Sequence, residues 1–174
     1  MKSVHCASVR HKSAAAYSRR RGIAQFQAGF QLFELLIAMA VVSVLAVIAI
    51  PSYSNYRDRV DNATAAGDID SIVQVIERFY TENNHYPDTL NEIGMGALQD
   101  PWEHTYQYLR INGANLKGKA ALRKDKNLVP INTDFDLYSN GKDGATIAPL
   151  TAKTSQDDIV RANNGKFVGL AKDY

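Results

Sequence analysis

The sequence predicts an α+β fold: a long N-terminal α-helix, transmembrane in its first half and amphipathic in its second, packed on a small antiparallel β-sheet with a loop-rich C-terminal region. Three observations predict it. Phe30 to Ile50 is a run of 21 residues whose only polar members are Gln31, Glu34 and Ser43. After Pro51, apolar residues recur every three or four positions to Tyr80, which is one face of a helix. Beyond residue 83 the pattern changes to short aromatic and β-branched segments between Gly, Pro and Asn turns, the signature of short strands.

The first half of the helix has the dimensions of a membrane span. At 1.5 Å per residue the run covers roughly 31 Å, the thickness of a hydrocarbon core. A plain signal anchor has this length. A secretory signal peptide has a shorter apolar region of about 7–15 residues and no carboxylate. Glu34 is the residue either reading must explain, because a charge deep in a membrane helix costs about 2.5–3.5 kcal/mol on insertion scales, and less near the interface. Its expected partner is a cation supplied from elsewhere.

Charge is divided unevenly along the chain. Up to Gly29 there are six basic residues, Lys2, Arg10, Lys12, Arg19, Arg20 and Arg21, and no acidic one. The remainder carries fourteen basic against eighteen acidic residues, although the whole chain is +2. An arginine cluster just before an apolar run places that flank in the cytoplasm and the C-terminal domain across the membrane. The same cluster does not call for a nucleic-acid partner. The single cysteine, Cys6, lies in the basic segment, so a disulfide cannot staple the C-terminal domain. Small domains without disulfides often need a metal or oligomerisation.

The second helical half, 51–82, is lined by Tyr53, Tyr56, Val60, Ala63, Ala66, Ile69, Val73, Ile76 and Tyr80. Pro51 removes a hydrogen bond and is expected to kink or loosen the helix. Asn83-Asn84-His85-Tyr86-Pro87 ends it, because Pro87 disfavours helix in the residue before it. Asp88 to Ile93 reads as a short helical turn, and Tyr106–Ile111 and Phe135–Tyr138 read as strands. The basic stretch Lys117–Lys126 reads as a solvated turn or loop. Asn163-Asn164-Gly165 is a tight turn before a last strand at Lys166–Gly169.

No nucleophile, phosphate-loop or metalloprotease motif is present in the sequence, so catalysis has no support. His85 and His104 stand alone and read as surface or packing residues, and Trp102 reads as a core anchor. The loop Ser139-Asn140-Gly141-Lys142-Asp143-Gly144, with Asp157-Asp158 fourteen residues beyond Asp143, offers oxygens of the kind Ca2+ takes six to eight of. Carboxylates in polar loops are also commonly just solvated.

Gly29-Phe30-x3-Glu34, the unbroken apolar helix and Pro51 together resemble the class III leader and N-terminal helix of type IV pilins and type II secretion pseudopilins. Asp100-Pro101-Trp102-x3-Tyr106-x-Tyr108, Asp136-Leu137-Tyr138-Ser139-x-Gly141-x-Asp143-Gly144 and Asp158-Ile159 resemble the major pseudopilin branch. Glu103 and Thr105 depart from that branch, which usually has Gly and Pro there. The resemblance implies a basic leader, 1–29, removed by a prepilin peptidase that cuts after Gly29 and N-methylates Phe30. It implies a transmembrane and filament-core helix over 30–50, an amphipathic helix over 51–82 and a periplasmic β-sheet with C-terminal loops over 83–174.

On this resemblance the protein is a structural subunit of a helical homopolymer. Glu34 meets the N-terminus of a neighbouring copy, and minor pseudopilins and an inner-membrane assembly platform are further partners. The chain begins as a single-pass protein of the bacterial inner membrane, N-terminus inside, and then joins a periplasmic filament. Calcium is the implied structural ion, with side-chain oxygens from Asp143 and Asp158 and a backbone carbonyl from Asn140; Asp157 joins them on proximity. The alternative is a minor type IV pilin whose soluble domain binds a secreted substrate, DNA or a surface.

Overall fold

The computed structural model describes residues 31–116, 121–126 and 128–174. The chain divides into two compact units, Met1–Ser43 and Val44–Tyr174. One helix, α1, runs over Leu32–Asn83 and contributes to both.

In the first unit the described residues are almost entirely the start of α1. Leu32, Phe33, Leu36, Met39 and Val42 are all exposed. Apolar side chains without protein cover are stable only where the surroundings are also apolar. The helix is long and apolar enough to cross a membrane. The Ser43 hydroxyl donates to the Met39 carbonyl at 2.7 Å, so the helix satisfies its own polar side chain, as a lipid environment requires.

In the second unit α1 continues through Pro51 without interruption. The expected loosening is limited to the loss of one donor to the carbonyl four residues back. One residue on, Ser52 donates its hydroxyl to the Ile48 carbonyl at 2.9 Å. The predicted apolar stripe is real only in its later part. Ala65, Ile69, Ile72 and Ile76 are fully buried, at spacings of four, three and four residues, which keeps them on one face. Tyr53, Tyr56, Val60 and Ala63 are exposed; the apolar core takes up α1 only from Ala65 onwards, and before it Asp58 pairs with Lys142 at 2.8 Å.

The helix ends at Asn83, where Asn84 takes a positive φ of 59°. The short turn expected near residue 90 is a 3-10 helix, Leu90–Ile93. Four strands follow: β1 Gln107–Arg110, β2 Phe135–Ser139, β3 Ile159–Ala162 and β4 Phe167–Leu170. They form one antiparallel sheet in chain order, β1-β2-β3-β4, with Leu109 opposite Asp136, Ser139 opposite Ile159 and Ala162 opposite Phe167. The β3–β4 hairpin turns at Asn163-Asn164-Gly165, all three with positive φ, as the sequence predicts. β3 is a strand to which the sequence reading assigned no element.

Each face of the sheet has its own cover. Phe135, Leu137 and Ile159 pack with the buried face of α1, with Leu90 and with Tyr106. On the other face Val160 and Ala162 pack with Ile131, Leu150 and Ala171 from the loops and the C-terminus. Strands buried on both sides lose the apolar–polar alternation that reveals strands in sequence. The approach to β1 is tied to α1 as well, since the Tyr106 hydroxyl donates to Asp68 at 2.9 Å. Ile72→Ala is expected to cost about 2–5 kcal/mol in denaturant unfolding of the detergent-solubilised protein, whereas Val60→Ala, on the uncovered part of α1, costs less than about 1 kcal/mol.

Candidate functional site

Two regions carry the residues singled out in the sequence. The first is the start of α1. Gly29 and Phe30, the expected processing residues, lie outside the described residues. Glu34 sits in the first turn of α1, exposed, and its Oε2 accepts the Gln31 backbone N–H at 3.2 Å. The Glu34 N–H in turn donates to the Gln31 carbonyl at 2.9 Å. A carboxylate here satisfies one of the unpaired N–H groups of a helix start and faces the positive end of the helix dipole. Pro51 lies seventeen residues on, within the helix and exposed.

The second region is the loop that leaves β2. Its anchor is Asp100, a buried carboxylate that the sequence reading did not single out as a site residue. Asp100 Oδ1 accepts the backbone N–H groups of Trp102 and His104 at 3.0 and 2.9 Å. Its Oδ2 accepts the Ser139 hydroxyl at 2.5 Å, and Ser139 Oγ accepts the Gly141 N–H at 3.0 Å. The His104 ring lies over the loop, with Nδ1 3.2 Å from the Gly141 carbonyl oxygen. His104 is therefore a packing residue, as its isolation in the sequence suggests. The signal for Asp100 was present in Asp100-Pro101-Trp102, a turn whose Asp reaches its own downstream backbone.

Gly141 has φ +66°, and a Cβ there would collide with the backbone carbonyl of Asp157. The close approach brings Asp143 and Asp157 together: the Asp143 N–H donates to Asp157 Oδ2 at 3.1 Å. Asp143 Oδ1 accepts the Ala145 N–H at 2.8 Å. Both carboxylates thus hold backbone donors of the same turn.

Asp158 faces elsewhere. It is fully buried, and its Oδ2 accepts both Arg123 Nη2 and the Thr146 hydroxyl at 2.5 Å. Burial pushes its carboxyl up to about 6, against the opposing pull of Thr146 and Arg123. The guanidinium and the hydroxyl both direct donors at this one oxygen, the arrangement a carboxylate takes. Arg123 is the buried exception within the basic stretch that reads as solvated. Its neighbour in the same layer, Asp136, is also raised by burial, and it accepts the Arg123 N–H and Asn132 Nδ2, each at 2.9 Å.

The donor set can be weighed for calcium on this geometry. Asn140 Oδ1 and Asp158 Oδ1 are buried without hydrogen-bond partners, so some acceptor capacity remains at the end of β2. Against that, among the described residues no three His, Cys, Asp or Glu side chains come together as a metal group. Asp143 and Asp157 are committed to backbone donors, and a guanidinium already neutralises Asp158. A cage of six to eight oxygens with surplus negative charge is not what these residues make. Asp100→Ala should lower stability by about 3 kcal/mol or more by stranding the Ser139 hydroxyl and two backbone N–H groups, measured by denaturant unfolding, while Asp143→Ala should cost less than about 1 kcal/mol.

No protein-family model matches the chain, and no solved structure matches it. A curated protein does. The chain is similar to the "Type II secretion system core protein G" of Pectobacterium carotovorum subsp. carotovorum, 28% identical over 144 residues that make up 80% of this chain and 87% of that protein, in agreement with the pseudopilin resemblance carried by the motifs at Gly29–Glu34 and Asp136–Gly144.

Proposed function

We propose that this protein is a structural subunit of a type II secretion pseudopilus, built into a filament through the apolar half of α1. The observation that carries the reading is the uncovered apolar surface of Leu32–Ile50 on a chain similar to core protein G over most of its length. That surface suits lipid first and then the same surface of other copies, because both are apolar. The role is mechanical, with no catalytic step.

In this reading the prepilin peptidase cuts after Gly29 and methylates Phe30, leaving a positive amine one residue before Gln31. Glu34 accepts the corresponding amine of a neighbouring copy. A carboxylate taken out of water is strongly destabilising unless a cation meets it, so the pairing favours assembly in one axial register. The basic leader keeps its flank in the cytoplasm, and the chain beyond Pro51 extends towards the periplasm. Minor pseudopilins and the inner-membrane assembly platform then act on the growing filament. Exposed Tyr53, Tyr56 and Val60, just past Pro51, extend the surface available to neighbouring subunits.

Two experiments test this. The intact mass of the membrane-extracted protein should equal a chain starting at N-methylated Phe30, and a retained leader would return the reading to a plain signal anchor. Glu34→Ala should abolish filaments while leaving the protein in the membrane with an unchanged domain melting temperature. Normal filaments from that variant would overturn the role given to Glu34.

A further inference from the structure

We propose that Arg123, and not a bound metal ion, is the cation that fastens the loop 140–158 to the sheet. This goes beyond the filament reading and does not depend on it. The loop is long and cysteine-free, and one buried guanidinium bonds both its middle and its end.

The Arg123 side chain is 3% exposed. Nη1 donates to Thr146 Oγ1 at 2.6 Å and to the Ile147 carbonyl at 2.9 Å. Nη2 donates to Asp158 Oδ2 at 2.5 Å. The guanidinium carbon lies 4.3 Å from the centre of the Tyr138 ring, within range of a cation–π contact. A single side chain therefore joins β2 through Tyr138, the middle of the loop through residues 146 and 147, and the start of β3 through Asp158.

The backbone positions the guanidinium rather than leaving it to find the loop. The Arg123 N–H is fixed on Asp136 Oδ2 at 2.9 Å, and its carbonyl accepts the Ile131 N–H at 3.1 Å. The next residue runs beside the loop, with Lys124 N–H donating to the Ala148 carbonyl at 3.1 Å and Leu150 N–H to the Lys124 carbonyl at 2.9 Å. The head group is thus delivered to Asp158 by a braced segment. A planar fork with directed donors suits one carboxylate, one hydroxyl and one carbonyl. A calcium ion would need six to eight oxygens converging on one point, whereas Asp143 and Asp157 are held on backbone donors of their own turn and Asp158 on Arg123.

The test uses the full chain in detergent. The wild-type melting temperature should be the same in millimolar EDTA and in millimolar calcium chloride; a rise of about 5 °C or more with calcium would mean that the ion is held, and would overturn the proposal. Arg123→Gln should speed tryptic cleavage at Lys142 and Lys153 by roughly tenfold or more, because a buried carboxylate without its cation favours opening of the loop. The double variant Arg123→Gln/Asp158→Asn should recover much of that protection, since it removes both charges. Cleavage of Arg123→Gln at the wild-type rate would overturn the proposal. If Arg123→Gln does not accumulate, the calcium comparison on the wild-type protein decides the matter by itself.

Discussion

The fold depends on one contact, the seating of Ala65, Ile69, Ile72 and Ile76 of α1 against Phe135, Leu137 and Ile159 of the sheet. The strands are only four or five residues long, too short to stand as an isolated sheet, and stability of such a sheet requires packing on another element. α1 provides the cover for one face. That helix in turn gains its buried face from the sheet, because the apolar residues before Ala65 take no part in the domain core. A single helix is thus divided between two apolar environments, the domain core and the surroundings of Leu32–Ile50. Folding of the domain leaves the second untouched.

The other face of the sheet is held differently. Its apolar set is small, Ile131, Leu150, Val160, Ala162 and Ala171, and buried polar groups occupy much of the remaining layer. Asn132 donates to Asp136 and to the Arg161 carbonyl, both at 2.9 Å, and accepts the Asn164 N–H at 2.8 Å. On the α1 side of β3, Arg161 bonds Asp134 and lies over the Phe135 ring, 4.0 Å from its centre. Polar networks of this kind cost much when incomplete and specify one arrangement when satisfied. In a domain without cysteines they take over the fixing of loops that a disulfide would otherwise provide.

What could be read in the sequence follows from this division. α1 was legible from its period, β4 from the turn before it, β1 from its aromatic and β-branched content, and β2, although buried at four of its five positions, from the alternation that Asp136 gives its sequence. β3 was not: Ile159-Val160-Arg161-Ala162 is buried at every position, so it shows no alternation, and Arg161 gives it a polar look. Arg123 was hidden for a related reason. It lies among lysines whose composition describes a solvated segment, and only tertiary structure separates buried Arg123 from Lys124 and Lys126 beside it. Among the candidate metal residues Asp157 was added on nearness alone, yet Asp157 and Asp158 are successive residues at the entry to a strand, where side chains turn to opposite sides. Sequence proximity placed together what the backbone sets apart, while Asp100, distant in sequence, is the residue that holds the Ser139–Gly141 turn.

Glu34 presents the remaining problem, because an apolar helix that begins with a carboxylate must satisfy it both before and after assembly. The Gln31 N–H at 3.2 Å offers a solution within one chain. A weak, neutral donor and the positive end of the helix dipole reduce the cost of holding the charge near a membrane surface, without binding it so tightly that it cannot leave. A neighbouring ammonium is a stronger partner for a carboxylate than a backbone amide, since both groups are then charged. On the proposed reading the self-capped state is therefore the waiting state, and the gain on assembly is the difference between the two partners and not the full value of an ion pair. That difference is largest where water is absent, inside a bundle of the same apolar helices, so the carboxylate favours the filament core without fixing the chain to any other apolar surface it meets.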